Sequence, residues 1–345
     1  MASMIKQIMP ILANSSAFER FVRLLEHTGG ERANLLRVLT YHRVDEPASR
    51  PWLDPGLISA TPDTFEKQMK YLAANYEPVS ALDVIRAVED EGRSLLPARA
   101  ILVTFDDAYS DFSEHAWPIL QHYQIPVILF VPTAFPDHPE RLFWWDRLFH
   151  ALHTTSAVEL TSPLGQLQLS TPAERRQAYK SLKNHFKTVP HHRVTADVNR
   201  ICNELGVSPQ TNIVLGWDSL RRLAGEGVTL GAHTQNHPIM NCITLEELQD
   251  EVMTSIQDLT REIGSVPLTF AYPSGIHNQT AVDVVERAGF KVAFTTQRGI
   301  NQIGRADRLR LQRINVGART TLPVLRAQLL PWSAPVYSLS NRFTG

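Results

Sequence analysis

The chain has 345 residues, 34 Lys and Arg against 35 Asp and Glu, and two cysteines, Cys202 and Cys242. A formal charge of −1 leaves no polycation for nucleic acid, and two cysteines supply no disulfide framework. No run of about 18 apolar residues offers a membrane-spanning helix, and the length suits one elaborated domain or two.

Residues 8–13 form a short apolar stretch without a clear cleavage site after it. Phe18, Phe21, Val22, Leu24 and Leu25 then recur at helical spacing among Glu19, Arg20 and Arg23. This predicts an N-terminal amphipathic helical extension over 1–34. The expected location is the cytoplasm, with residues 1–25 resting on the inner face of the membrane as the rival to packing on the domain.

Residues 35–42 read as the first core strand, emptying into His42-Arg43-Val44-Asp45. Thr61-Pro62-Asp63 opens a helix to about 74: Thr61 suits the N-cap, Pro62 the first turn and Asp63 the positive helix end. A short strand at 77–79, a helix from Ser80 to near 92, a strand at 100–105, a helix near 110–123 and a strand at 127–131 follow. Repeated strand–helix units predict a parallel sheet or barrel. Residues 136–215 break the rhythm with Phe143-Trp144-Trp145-Asp146, a hairpin around Pro163-Leu164-Gly165, and polar helices at 172–187 and 191–205. They read as an insertion folded over the barrel mouth. Alternation resumes with helix 217–225, strand 228–232, helix 244–262, strand 268–271, helix 278–288, strand 292–295, a strand near 309–316 and a helix near 321–330. The domain so defined is 35–335, and the tail over 336–345 has no periodicity.

Two strand ends carry the chemistry. The run over 100–105 delivers Asp106 and Asp107 to a C-terminal sheet edge, where α/β folds assemble active sites. Adjacent carboxylates repel unless a cation or a shared proton relieves them, the alternative being an acidic loop that caps the next helix. The strand over 228–232 empties into His233-Thr234-Gln235-Asn236-His237, and four-residue spacing on a helix or turn puts both imidazoles on one face. Two histidines and one carboxylate are a usual ligand set for a catalytic metal with an open position, whereas a single histidine is by default a core or surface residue.

Thr104-Phe105-Asp106-Asp107 and His233-Thr234-Gln235-Asn236-His237 resemble the first two motifs of the polysaccharide deacetylase family, the NodB-homology enzymes of carbohydrate esterase family 4. The resemblance covers about 98–320, interrupted by the insertion, and implies an α/β fold of the distorted (β/α)7 barrel type. It implies Asp106 as catalytic base and Asp107, His233 and His237 as ligands of a divalent metal, zinc first, with cobalt, nickel or manganese as alternatives. Such a metal would lower the pKa of a water and polarise the substrate carbonyl.

Two family motifs depart from the pattern. The third, Arg-x-Pro-Tyr-Gly, is here Ala271-Tyr272-Pro273-Ser274-Gly275. The Arg that holds the base is replaced by Ala271, and the Tyr whose N–H meets the oxyanion by Ser274. A backbone donor survives a side-chain change, so Ser274 stays a candidate. Arg313, at another strand, is the candidate replacement for the missing Arg; its alternative is a surface ion pair. The last motif, a Leu-x-His that supplies the acid, is absent, because no histidine follows His277. The acid candidates are therefore His42 and His277, and Tyr41-His42-Arg43-Val44 is similar to exopolysaccharide deacetylases with a weak last motif. Tyr109, Tyr272, Pro273 and Trp145 are the expected substrate contacts. Trp144 and Trp145 could stack on sugar faces or anchor the insertion by burial.

The function so implied is removal of N-acetyl groups from amino sugars of a surface polysaccharide or exopolysaccharide or its lipid-linked precursor, with an N-acetylated glycan as partner and no nucleic acid. The alternatives are hydrolysis of a non-sugar amide or cyclic imide, as in allantoinase-like relatives of this fold, and a catalytically weak carbohydrate-binding relative.

Overall fold

Seven short apolar runs form the frame: β1 (Leu35–Tyr41), β2 (Ala100–Phe105), β3 (Val127–Val131), β4 (Thr229–Ala232), β5 (Thr269–Ala271), β6 (Val292–Arg298) and β7 (Leu311–Asn315). Each pairs in parallel with the next, and β7 pairs with β1, so the sheet closes into a barrel. Such strands are buried on both faces, which is why they read as nearly continuous apolar runs. The computed structural model describes residues 34–331 apart from 92, 94, 95, 139, 209, 210 and 212, together with 19, 20, 22 and 24. Of the expected extension, those four residues are helical, with Val22 buried and Leu24 exposed; the remainder of 1–33 and the tail lie outside the described residues.

Alternate residues of the strands serve two cores. Leu36, Val38, Leu102, Ile128, Phe130, Ala271, Phe294 and Leu311 fill the barrel, while Leu39, Tyr41, Val103, Phe105, Leu129, Val131 and Phe270 pack against surrounding helices. The helices start where capping side chains stand. Thr61 caps Pro62–Asn75, and capping boxes at Ser80/Asp83 and Thr244/Glu247 open Ala81–Glu89 and Leu245–Ile263. The single helix expected near 110–123 is instead a π turn, Phe112–Ala116, running into Trp117–His122. Pro118 lacks the amide hydrogen a regular helix would need there.

The insertion has its own core. Helix Trp144–Thr154, absent from the sequence reading, packs Leu148 and Leu152 against Leu182, Phe186, Val194, Val198 and Ile201 of helices Pro172–Phe186 and His191–Glu204. The expected hairpin is present as Glu159–Ser162 paired with Gly165–Gln168. Asp54, in the loop after β1, accepts hydrogen bonds from Tyr179 Oη and Lys183 Nζ, both at 2.7 Å, and so ties the insertion to the barrel rim.

Candidate active site

Asp106 follows β2 with its carboxyl turned to the barrel axis, and β7 supplies its partner. Arg313 donates from Nη1 to Oδ1 and from Nη2 to Oδ2, each at 2.8 Å. Both side chains are buried, and Nε of Arg313 donates to the Thr295 carbonyl at 2.8 Å, so the fork is fixed at three points. Burial alone would raise the Asp106 carboxyl. The Arg313 guanidinium, with His233 beside it, overrides that and holds it well below the usual carboxylate range. The guanidinium missing at Ala271 is thus delivered from a different strand, and the surface ion pair considered for Arg313 is excluded by its complete burial.

Asp107 points the other way because Asp107 and Ala108 both take left-handed backbone, φ 73° and 51°. Thr234 (φ 61°), His237 (φ 57°) and Ser274 (φ 54°) do the same at neighbouring strand ends. Non-glycine residues in that region are strained, and such strain concentrates where function needs it. The histidines therefore sit on a loop, not on a helix. His233 Nε2 lies 3.6 Å and His237 Nε2 3.4 Å from Asp107 Oδ1. That Oδ1 is buried without a hydrogen-bond partner. The Ala271 carbonyl accepts from His233 Nδ1 at 2.7 Å, which leaves the Nε2 lone pair free to face the cluster. Burial, then the Asp106 charge, pushes the Asp107 carboxyl well up; burial, then His233, pushes the His237 imidazole well down. An orphaned carboxylate oxygen between two neutral imidazoles, with one ligand atom of each residue within 4.8 Å of the others, fits a divalent cation.

These groups open on a cavity of about 300 Å³, lined also by His42, Trp144, Trp145, Lys183, Lys187, Ser274, Thr296 and Asn315. His42 Nε2 lies 4.0 Å from Asp106 Oδ2, and burial pushes the imidazole down to about 4 against the pull of Asp106. Ser274 sits at the rim because Gly275, at φ 70°, lets the turn press against Thr296, which a Cβ would overlap. Trp145 lines the cavity but is largely buried. Its indole N–H donates to Tyr109 Oη at 2.9 Å, and its ring packs on His237 at 4.8 Å between centroids.

Three expected substrate contacts are corrected. Tyr109 is buried, donates to Asp146 Oδ2 at 2.6 Å and holds the Trp145 indole, so it positions a wall residue and does not reach the cavity. Tyr272 is fully buried, donating to the Leu309 carbonyl, and Pro273 is buried beside it. His277 stacks on Tyr272 and faces the Gly275 carbonyl, away from the cavity. The sequence reading also missed residues. Glu251, on helix Leu245–Ile263, accepts the amides of Gln235 and Asn236 at 2.9 and 2.7 Å and so braces the loop that carries both histidines. Nothing in its local sequence separates it from the other acids of that helix face. Lys183, Lys187 and Asn315 are cavity residues for the same reason unseen: their neighbours come from distant elements.

A closed barrel of seven parallel strands, with two acids and two histidines at its C-terminal rim, defines an α/β barrel with a candidate metal site where such folds place their active sites. Comparison with known proteins narrows this. A family model described as polysaccharide deacetylase matches residues 94–293, more than half of the chain, and the chain belongs to that family. The poly-beta-1,6-N-acetyl-D-glucosamine N-deacetylase of Escherichia coli K12 is 30% identical over 102 residues, 29% of this chain and 14% of the relative. The protein of the same name from Staphylococcus aureus MRSA252 is 22% identical over 239 residues, 69% of this chain and 61% of the relative. The chain thus spans less than two thirds of the length of either. Among solved structures, IcaB from Ammonifex degensii superposes with a TM-score of 0.58 at 18% identity, covering 88% of this chain and 98% of that one. The Streptococcus pyogenes deacetylase PplD in complex with acetate gives 0.54 at 20% identity, covering 90% and 98%. Both share the fold.

Proposed function

We propose that the protein is a metal-dependent N-deacetylase acting on N-acetylglucosamine residues of an exopolysaccharide or its precursor. The observation that carries this reading is the pair of neighbouring acids with divided tasks: Asp106 clamped by Arg313, and Asp107 left unpartnered between His233 and His237. The names of the E. coli and S. aureus relatives support N-acetylglucosamine polymers as the substrate class.

Asp107, His233 and His237 would hold a divalent cation, zinc being the first choice for such a mixed set, and it would supply Lewis acidity toward the amide carbonyl and lower the pKa of a water. The chain's own groups do the rest. Arg313 keeps Asp106 ionised and aimed, so that it takes the proton from the attacking water. His42 is neutral at rest and therefore gains a proton before giving one; at 4.0 Å from Asp106 it can pass that proton to the leaving amine. The Ser274 backbone N–H, at the rim, is the candidate donor to the developing oxyanion. Asn315 Oδ1, buried without a partner in the cavity wall, is an acceptor for a sugar hydroxyl. Trp144, the more open of the two indoles, offers a face for a pyranose.

The test is acetate release from β-1,6-linked N-acetylglucosamine oligomers, with ureides and cyclic imides in parallel. Release from the oligomers by wild type and its loss in Asp106→Asn support the reading. Turnover of the imides alone would assign the site to a non-sugar amidohydrolase. Placement at the inner face of the membrane through residues 1–25 is a separate proposal. Fractionation with and without those residues tests it.

A further inference from the structure

The cavity that holds Asp106 and Asp107 also takes in two lysines of the insertion, Lys183 and Lys187. Lys183 is neutralised by Asp54 at 2.7 Å. Lys187 is half-buried and makes no ion pair among the described residues, while burial and the nearby Lys183 lower its hold on a proton. The carboxylates of the cavity do not answer it: Asp106 is taken by Arg313, and Asp107 is set between the imidazoles. Across Trp144 and Trp145, which border both hollows, lies a second hollow of about 190 Å³ lined by Arg141, Arg147 and His191, with Glu140 as its acid. Arg141 donates to the Asn236 amide oxygen at 2.8 Å, and Arg147 makes no ion pair among the described residues. A partly exposed lysine that lines the cavity without a counter-ion gives that cavity a positive potential, which a neutral acetamido sugar does not complement.

We propose that this cavity selects glycans that carry an anionic group, a carboxylate or a phosphate, close to the N-acetylated sugar, with Lys187 as the partner of that group. The proposal rests on the deacetylase reading and names its substrate class. Three oligomers of equal length separate the cases: N-acetylglucosamine alone, N-acetylglucosamine alternating with a uronic acid, and N-acetylglucosamine bearing a terminal phosphate. Binding is read on the zinc-loaded Asp106→Asn chain, which does not turn over, and acetate release on zinc-loaded wild type.

One anionic oligomer is expected to bind about tenfold or more tightly than the neutral one at low salt, the size of one charge-assisted contact. The advantage shrinks as salt rises, disappears in Lys187→Met and survives in Lys187→Arg. Which oligomer gains tells carboxylate from phosphate. Equal binding of all three, or a preference that Lys187→Met leaves intact, overturns the proposal even where acetate is released. Selective, Lys187-dependent binding without acetate release from any oligomer would uphold the anion site and defeat the deacetylase reading.

Discussion

Asp106 and Asp107 are adjacent in the chain and buried together, yet their carboxyls are driven in opposite directions, down by Arg313 and up by burial beside a like charge. Asp106 is thereby kept ionised, as a base must be, whereas Asp107 needs a cation between the imidazoles to favour its ionised form. Arg313→Met leaves Asp106 buried and unpaired, a loss of about 3–5 kcal/mol, measurable as a lower urea midpoint. The sign with pH follows from the depressed carboxyl. Its stabilising contribution is complete above the ordinary carboxylate range and is lost as pH falls toward the folded value, so wild type weakens in acid while Arg313→Met shows a flatter acid branch. At this scale the motifs located Asp106, Asp107, His233 and His237, and Arg313 stood out because a strand-borne arginine was needed once Ala271 could not serve. Tyr109, Tyr272 and Pro273 were misassigned because motif position does not say whether a side chain faces the cavity or the core.

Elements were legible where capping chemistry marks them. Thr61, Ser80 and Thr244 open helices in the structure where the sequence reading starts them. Helix Trp144–Thr154 begins without any side-chain cap, so it had no local signature and was fixed only by packing Leu148 and Leu152 into the insertion. Two elements carry predictions. Burial alone would raise the Asp54 carboxyl, but Lys183 and Tyr179 hold it below its ordinary value. The tether is therefore present above the ordinary carboxylate range and lost as pH falls below about 4. Amide exchange in helix Pro172–Phe186 should quicken there in wild type, and already at neutral pH in Asp54→Asn. Glu251→Ala removes the acceptor of two loop amides. Its cation affinity, read by chelator competition, is expected to fall by about 10–100-fold, the usual effect of losing support behind a ligand.

For the whole molecule, closure of the barrel brings into one cavity groups that follow or end β1, β2, β4 and β7 and are up to 273 positions apart, His42 to Asn315 being the widest. Alternation of strand and helix made the closed sheet predictable, and its interruption over 136–215 marked the insertion over the mouth; the contacts that tie it down, Asp54 to Lys183 and Tyr179, were not legible because they join residues 125 or more positions apart. A cation bound only by the folded chain raises stability, by about 2.7 kcal/mol when free cation is 100 times Kd. Chelation should therefore lower Tm in wild type, and zinc should restore it, while His233→Ala shows neither change. The most direct test of the central claim is a zinc titration of acetate release from N-acetylglucosamine oligomers, run on wild type and on Asp106→Asn. The account predicts release that rises to a plateau at one cation per chain in wild type, and binding of the same one cation with release reduced about 10²–10⁴-fold in Asp106→Asn. Release that does not respond to the cation, or that Asp106→Asn retains in full, would contradict it.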